Sequence, residues 1–120
     1  MKEYLLVLIT TPKGETADHI AGALVENGLA ACVNVIKGIK SVYSWKGKIE
    51  HDQEDLLLVK TRAEYLEKLT QQVIKLHPYE VPEVIALSLE AGSTPYFQWI
   101  DSVLKTADDN EENSINPANT

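Results

Sequence analysis

Residues 77–84, His-Pro-Tyr-Glu-Val-Pro-Glu-Val, crowd an imidazole, a phenol and two carboxylates between two prolines. Pro78 and Pro82 restrict the backbone, so less entropy is lost in holding His77, Tyr79, Glu80 and Glu83 in one arrangement. Preorganised polar groups beside a sheet end suit a ligand site. They equally suit a rigid helix-to-strand connection in which Tyr79 packs and Glu83 opens a strand. A neutral imidazole can offer one nitrogen to a metal, which makes His77 a candidate ligand. Cys32, the only cysteine, is a second candidate as a soft donor. No CxxC or HxxxH partner lies near it, and a buried structural thiol has the same small neighbours. Glu50, Asp52 and Glu54 alternate along one strand, so they share a face while Asp55 takes the other. Such a row could hold a hard cation, or could simply be a solvated face that blunts strand pairing. His19 and His51 each stand alone. There is no Ser-His-Asp order and no dinucleotide fingerprint, and residues 10–16 carry one glycine, too few for a phosphate loop. No catalytic motif and no obligatory cofactor are therefore expected.

The elements that position these groups are legible as hydrophobic periods. Residues 4–11 are a continuous apolar, β-rich run, the pattern of a strand covered on both faces. Residues 16–27 carry Ile20, Ala21, Leu24 and Val25 at helical spacing, and Asn27-Gly28 stops them. Residues 29–36 form a second strand, whose alternation loses phase at Lys37-Gly38 and resumes over 39–45, the sign of a bulge. Lys46-Gly47 reads as a hairpin turn and 48–61 as one long strand. Residues 63–76 place Leu66, Leu69, Val73 and Leu76 on one helical face, ended by His77-Pro78. Residues 83–90 form a fourth strand. Thr94 as N-cap and Pro95 at the first helical position open a last helix over 93–105, with Phe97, Ile100 and Leu104 inward. The order is β-α-β-β-α-β plus a C-terminal helix, which is the α+β, ferredoxin-like split βαβ plan with its helices on one face of an antiparallel sheet.

Composition narrows the function. The 120 residues suit one domain. Residues 1–106 form its body, and 107–120 an acidic, Asn-rich tail expected to be disordered. The formal charge of −7 falls to −3 without that tail, so neither part favours a nucleic-acid backbone. A single cysteine excludes a disulfide scaffold. The first apolar run is short and follows Glu3, a strand rather than a signal peptide. No run is long enough for a bilayer-spanning helix, and a cytoplasmic setting is expected.

One length does not fit a monomer. A strand over 48–61 spans about 45 Å, against a radius of gyration of about 13 Å for a domain of this size. The hairpin must project, and its upper part carries Val42, Tyr43 and Trp45. Such a ribbon is poorly stable alone, so subunits that extend each other's sheets are expected, with Tyr43 and Trp45 buried by a neighbour.

The segments Ala-Ala-Cys-Val-Asn-Val-Ile (30–36), Ser-Val-Tyr-Ser-Trp-Lys-Gly-Lys-Ile-Glu (41–50), Asp-Leu-Leu-Leu-Val-Lys-Thr (55–61) and 77–84 together resemble the CutA family of divalent-ion tolerance proteins. The resemblance runs from about Leu5 to Leu104. It implies a ferredoxin-like homotrimer similar in architecture to PII-type signalling proteins, cytoplasmic in bacteria and associated with copper and other divalent ions. His77 matches the histidine before the family's Pro-Tyr, and Cys32 the cysteine of the second strand. Some members assign copper to a cysteine late in strand 1 and to a histidine pair before that Pro-Tyr. Here Ile9 and Leu76 occupy the first of these positions and the first histidine, which leaves His77 as one weak Cu(II) ligand. His77, Tyr79 and Glu83 are expected to line a cleft between subunits, with Glu54 and Lys60 near its wall. Helix-to-sheet geometry sets Lys60 at the far end of its own subunit, so a neighbour would have to supply it. Three functions fit: a metal-tolerance trimer binding Cu(II) or a small ligand weakly, a PII-like signalling trimer with a partner protein, and an enzyme using Lys60, His77, Tyr79 and Glu83.

Overall fold

The computed structural model describes residues 3–104. The acidic segment 107–120 lies outside them. The chain runs β1 (Tyr4–Pro12), α1 (Thr16–Glu26), β2 (Cys32–Trp45), β3 (Lys48–Arg62), a 3-10 turn (Ala63–Tyr65), α2 (Leu66–Leu76), β4 (Val84–Ser88) and α3 (Thr94–Val103). The four strands form one sheet in the order β2-β3-β1-β4, every neighbouring pair antiparallel.

Strict alternation on β1 sends Leu5, Val7, Ile9 and Thr11 to the face covered by α1 and α2. Leu57, Val59 and Thr61 of β3 join them, and Ile20, Leu24, Leu69 and Val73 close the core from the helices. The third helix departs from the expected one-sided arrangement. Its Phe97 stacks on Tyr4 at 4.4 Å between ring centroids, and Tyr4 donates a 2.8 Å hydrogen bond to Asp101. Arg62 also meets Asp101 and the Leu104 carbonyl. Tyr4 and Arg62 lie out of phase with the core residues, so α3 sits on one end of the opposite face. The rest of that face stays uncovered: Leu6, Leu8, Leu56 and Leu58 are half-buried and Ile36, Ile85 and Leu87 exposed.

Three boundaries differ from the sequence reading. Strand β2 begins at Cys32 rather than 29, because the N–H groups of Leu29 and Ala30 bond the Leu24 carbonyl and finish α1. Strand β4 is shorter, since it is an edge strand paired only with Leu5–Ile9 of β1. Ser93, not Thr94, is the extended residue before α3, which moves Pro95 into the helix by one position.

The β2–β3 hairpin behaves as its length requires. It stretches the molecule to 60 × 29 × 22 Å with a radius of gyration of 16.5 Å. Its turn is Lys46-Gly47, with φ of 51° and 79°, the left-handed pair that matches strand twist in a two-residue loop. The bulge falls where the alternation slipped: Ile36 pairs with Leu56 and Ile39 with Glu54, so Lys37 and Gly38 together oppose Asp55. Gly38 takes φ of 76°, a conformation that disfavours any side chain. Asp55, with no exposure, receives N–H groups from Gly38 (3.0 Å) and Gly14 (3.4 Å) and the Lys37 ammonium (3.2 Å).

Candidate functional site

A cavity of about 800 Å³ lies between the hairpin and the Pro78–Glu83 loop, within the size range of small-molecule sites. Thr10, Ser41, Tyr43, Trp45, Glu54, Tyr79, Glu80, Val81 and Glu83 line it. The bulge is what brings Tyr43 and Trp45 here. Beyond it the odd residues of β2 share a face with Glu54, whereas below it the even ones face that side.

His77 anchors the loop. It is 7% exposed, and Nε2 lies 2.7 Å from the Thr10 carbonyl, which can only accept. The Tyr79 N–H donates to Nδ1 at 3.1 Å. This pair of bonds assigns the neutral imidazole with the proton on Nε2. Tyr79 then turns its ring against the imidazole, 4.6 Å between centroids, and its hydroxyl donates to Glu54 Oε2 at 2.7 Å. Burial, then the Glu54 hydrogen bond, push the Tyr79 phenol well above its ordinary value. Tyr43 donates to Asp52, and that bond first, with burial second, lifts its phenol to about 12. Both phenols therefore stay protonated donors at neutral pH.

The structure sorts the expected residues into two groups. Glu54, Tyr79 and Glu83 meet Tyr43 and Trp45 around one cavity of a single chain. Glu54 and Tyr79 need no neighbour to bring them into contact, which the sequence did not reveal. His77 stands behind this wall rather than on it. Lys60 and Cys32 pair with each other in the β2–β3 register near the opposite end of the sheet, with Lys60 Nζ 4.0 Å from Cys32 Sγ. The row Glu50, Asp52, Glu54 does not come together as a metal cradle within one chain: the described residues hold no group of three His, Cys, Asp or Glu poised for a metal, and Asp52 and Glu54 each accept a tyrosine hydroxyl. The two candidate metal ligands, His77 and Cys32, thus lie apart within one chain. A metal reaching His77 would have to displace the Tyr79 N–H from Nδ1 or the proton on Nε2. The Asp55 knot was also missed, its only signal being the phase slip opposite it.

A family described as CutA1 divalent ion tolerance protein matches residues 5–103. The chain belongs to the CutA1 family. A human relative, Protein CutA, is 50% identical over 101 residues, covering 84% of this chain and 56% of the relative. The divalent-cation tolerance protein CutA of Thermus thermophilus is 50% identical over 95 residues, covering 79% and 92%. Among solved structures, CutA1 of Oryza sativa superposes with a TM-score of 0.85 at 41% identity, covering 88% of this chain and 96% of that one. This CutA family member spans little more than half the length of the human and Arabidopsis thaliana relatives, 56% and 53%. The shared α+β sheet and helices extend to the bacterial, plant and archaeal structures alike.

Proposed function

We propose that this CutA family protein acts in divalent-ion tolerance as a homotrimer on a ferredoxin-like scaffold, binding a small ligand in the cleft between its hairpin and its 77–83 loop. The strand order β2-β3-β1-β4 supports the ferredoxin-like scaffold, whose order it matches when read from the other edge. The observation that carries the assembly is the apolar sheet face left open in one chain, larger than scattered surface hydrophobics account for. Binding is favoured over catalysis because both His77 nitrogens are engaged in holding the loop. Cu(II) binding in this reading is weak and falls to the cleft's carboxylates rather than to His77. A cytoplasmic setting is carried over from the family resemblance, although an Arabidopsis relative is named chloroplastic and an Archaeoglobus fulgidus structure periplasmic.

The projecting ribbon favours a second reading, a PII-like trimer whose hairpins contact a partner protein. Calorimetric titration with Cu(II) at pH 7.5 and 5.5, on wild type and His77→Ala, tests the first reading. It expects weak binding that His77→Ala leaves in place; tight binding abolished by that variant overturns it. Ligand-dependent capture of a partner that is lost on shortening the hairpin would favour the second.

A further inference from the structure

The charge in the cleft does not balance. Glu54 is 6% exposed, and among the described residues its one hydrogen-bond partner is the neutral Tyr79 hydroxyl. Among the described residues no lysine, arginine or histidine forms an ion pair with it. A carboxylate with so little exposed surface and no charged partner is a natural place for a cation to complete. Glu83 adds a further carboxylate to the same lining, and Glu80 another that Lys46 pairs at the rim. Lys40 also borders the cavity, but in the strand register it falls on the opposite face of the ribbon from Ser41, Tyr43 and Trp45.

The walls facing these carboxylates are aromatic: Tyr43, Trp45 and Tyr79. Ring faces attract cations, above all when water is partly excluded. The chain itself displays this at the rim, where the Lys46 ammonium sits 5.6 Å from the Trp45 ring centroid and 3.9 Å from a Glu80 oxygen. We propose that the cleft binds an organic ammonium ion, held between the Trp45 and Tyr79 rings with Glu54 as its counter-ion. This deepens the cleft reading given above and rests on it. Size agrees, since about 800 Å³ far exceeds a bare metal ion and suits an ion carrying alkyl groups.

The test uses the full chain in its native assembly, with Trp99→Phe leaving Trp45 as the sole tryptophan. Trp45 fluorescence is titrated at constant ionic strength with choline and with 3,3-dimethylbutan-1-ol, which has the same shape and no charge. The expected result is saturable binding of choline, weaker by about tenfold or more for the alcohol and for choline on Glu54→Gln. The glutamine still accepts from Tyr79, and light scattering confirms that the assembly is unchanged. Should Glu54→Gln fail to fold, the choline-to-alcohol ratio on the parent protein decides alone. Equal affinity for both probes, or no saturable response, overturns the proposal. So does choline binding that appears only in Lys60→Met, because the missing cation is then Lys60 of a neighbouring copy. The Cu(II) titration and the assembly mass are read separately, so a failure here leaves the tolerance trimer standing.

Discussion

Asp55 is an acid placed where acids are expensive, with no exposed surface beneath the β1–α1 loop. Burial alone would raise its pKa, but the Gly38 N–H, the Lys37 ammonium and the Gly14 N–H outweigh it and hold the carboxyl below its ordinary 3.8. A depressed folded value means that the unfolded chain binds the proton first. The stabilisation is therefore complete above pH 3.8 and is lost as pH falls through the lower, folded value. Urea unfolding at pH 7 and pH 2.5 should show Asp55→Ala less stable by about 2 kcal/mol at pH 7 and closer to wild type in acid. Parallel losses at both pH values would remove Asp55 from that role. His77 makes a second case. His77→Phe keeps a ring but strands the Thr10 carbonyl and the Tyr79 N–H, so it should lower stability by about 1–3 kcal/mol, read as an earlier thermal midpoint without any metal present.

At the scale of the element, the hairpin depends on a backbone that only glycine adopts easily. A Cβ at Gly38 would meet nothing within 4 Å, so Gly38→Ala carries a purely conformational penalty at φ of 76°. That penalty is about 1–2 kcal/mol, and it should appear in thermal melts while Gly22→Ala, in the middle of α1 with equally open space, stabilises or is neutral. The bulge was legible in the sequence because alternation is a local signal that breaks visibly at Lys37-Gly38. The strands and the faces of α1 and α2 were legible for the same reason. What holds the bulge was not, since Gly14 lies 41 residues from Asp55 along the chain. The loop stayed open for the same reason. Its residue types suited a ligand site and a rigid corner equally, and the Thr10 carbonyl that engages His77 lies 67 positions away, where no spacing rule reaches it. The place of α3 depended on the Tyr4–Asp101 pairing, also long in sequence, which is why the helices were expected on one face.

For the whole molecule, the open face makes the sharpest demand. Ile85 and Leu87, about half exposed in one chain, sit beside Leu6 and Leu8 on that face. Leu87→Glu places a charge there without touching the core under α1 and α2. On a sizing column with light scattering, wild type should run at about three times the 13.3 kDa chain mass and Leu87→Glu at once that mass. A wild-type monomer at micromolar concentration ends the trimer reading. Trp45→Ala should weaken the same assembly and lower its melting point, while an unchanged midpoint would mean that Trp45 serves only the cleft. The two-against-one pairing at Lys37 and Gly38 has a further consequence, for inheritance rather than for energy. Loss of a single codon there would leave one residue opposite Asp55 and keep Ile39 opposite Glu54 and Tyr43 opposite Glu50, so the strand would straighten while its tip kept its faces. Above the bulge the ribbon can lengthen or shorten without reversing its tip only by two residues on each strand. Natural length variants above the bulge should then differ in steps of four residues, and a family member differing by two would have to carry a compensating bulge in each strand.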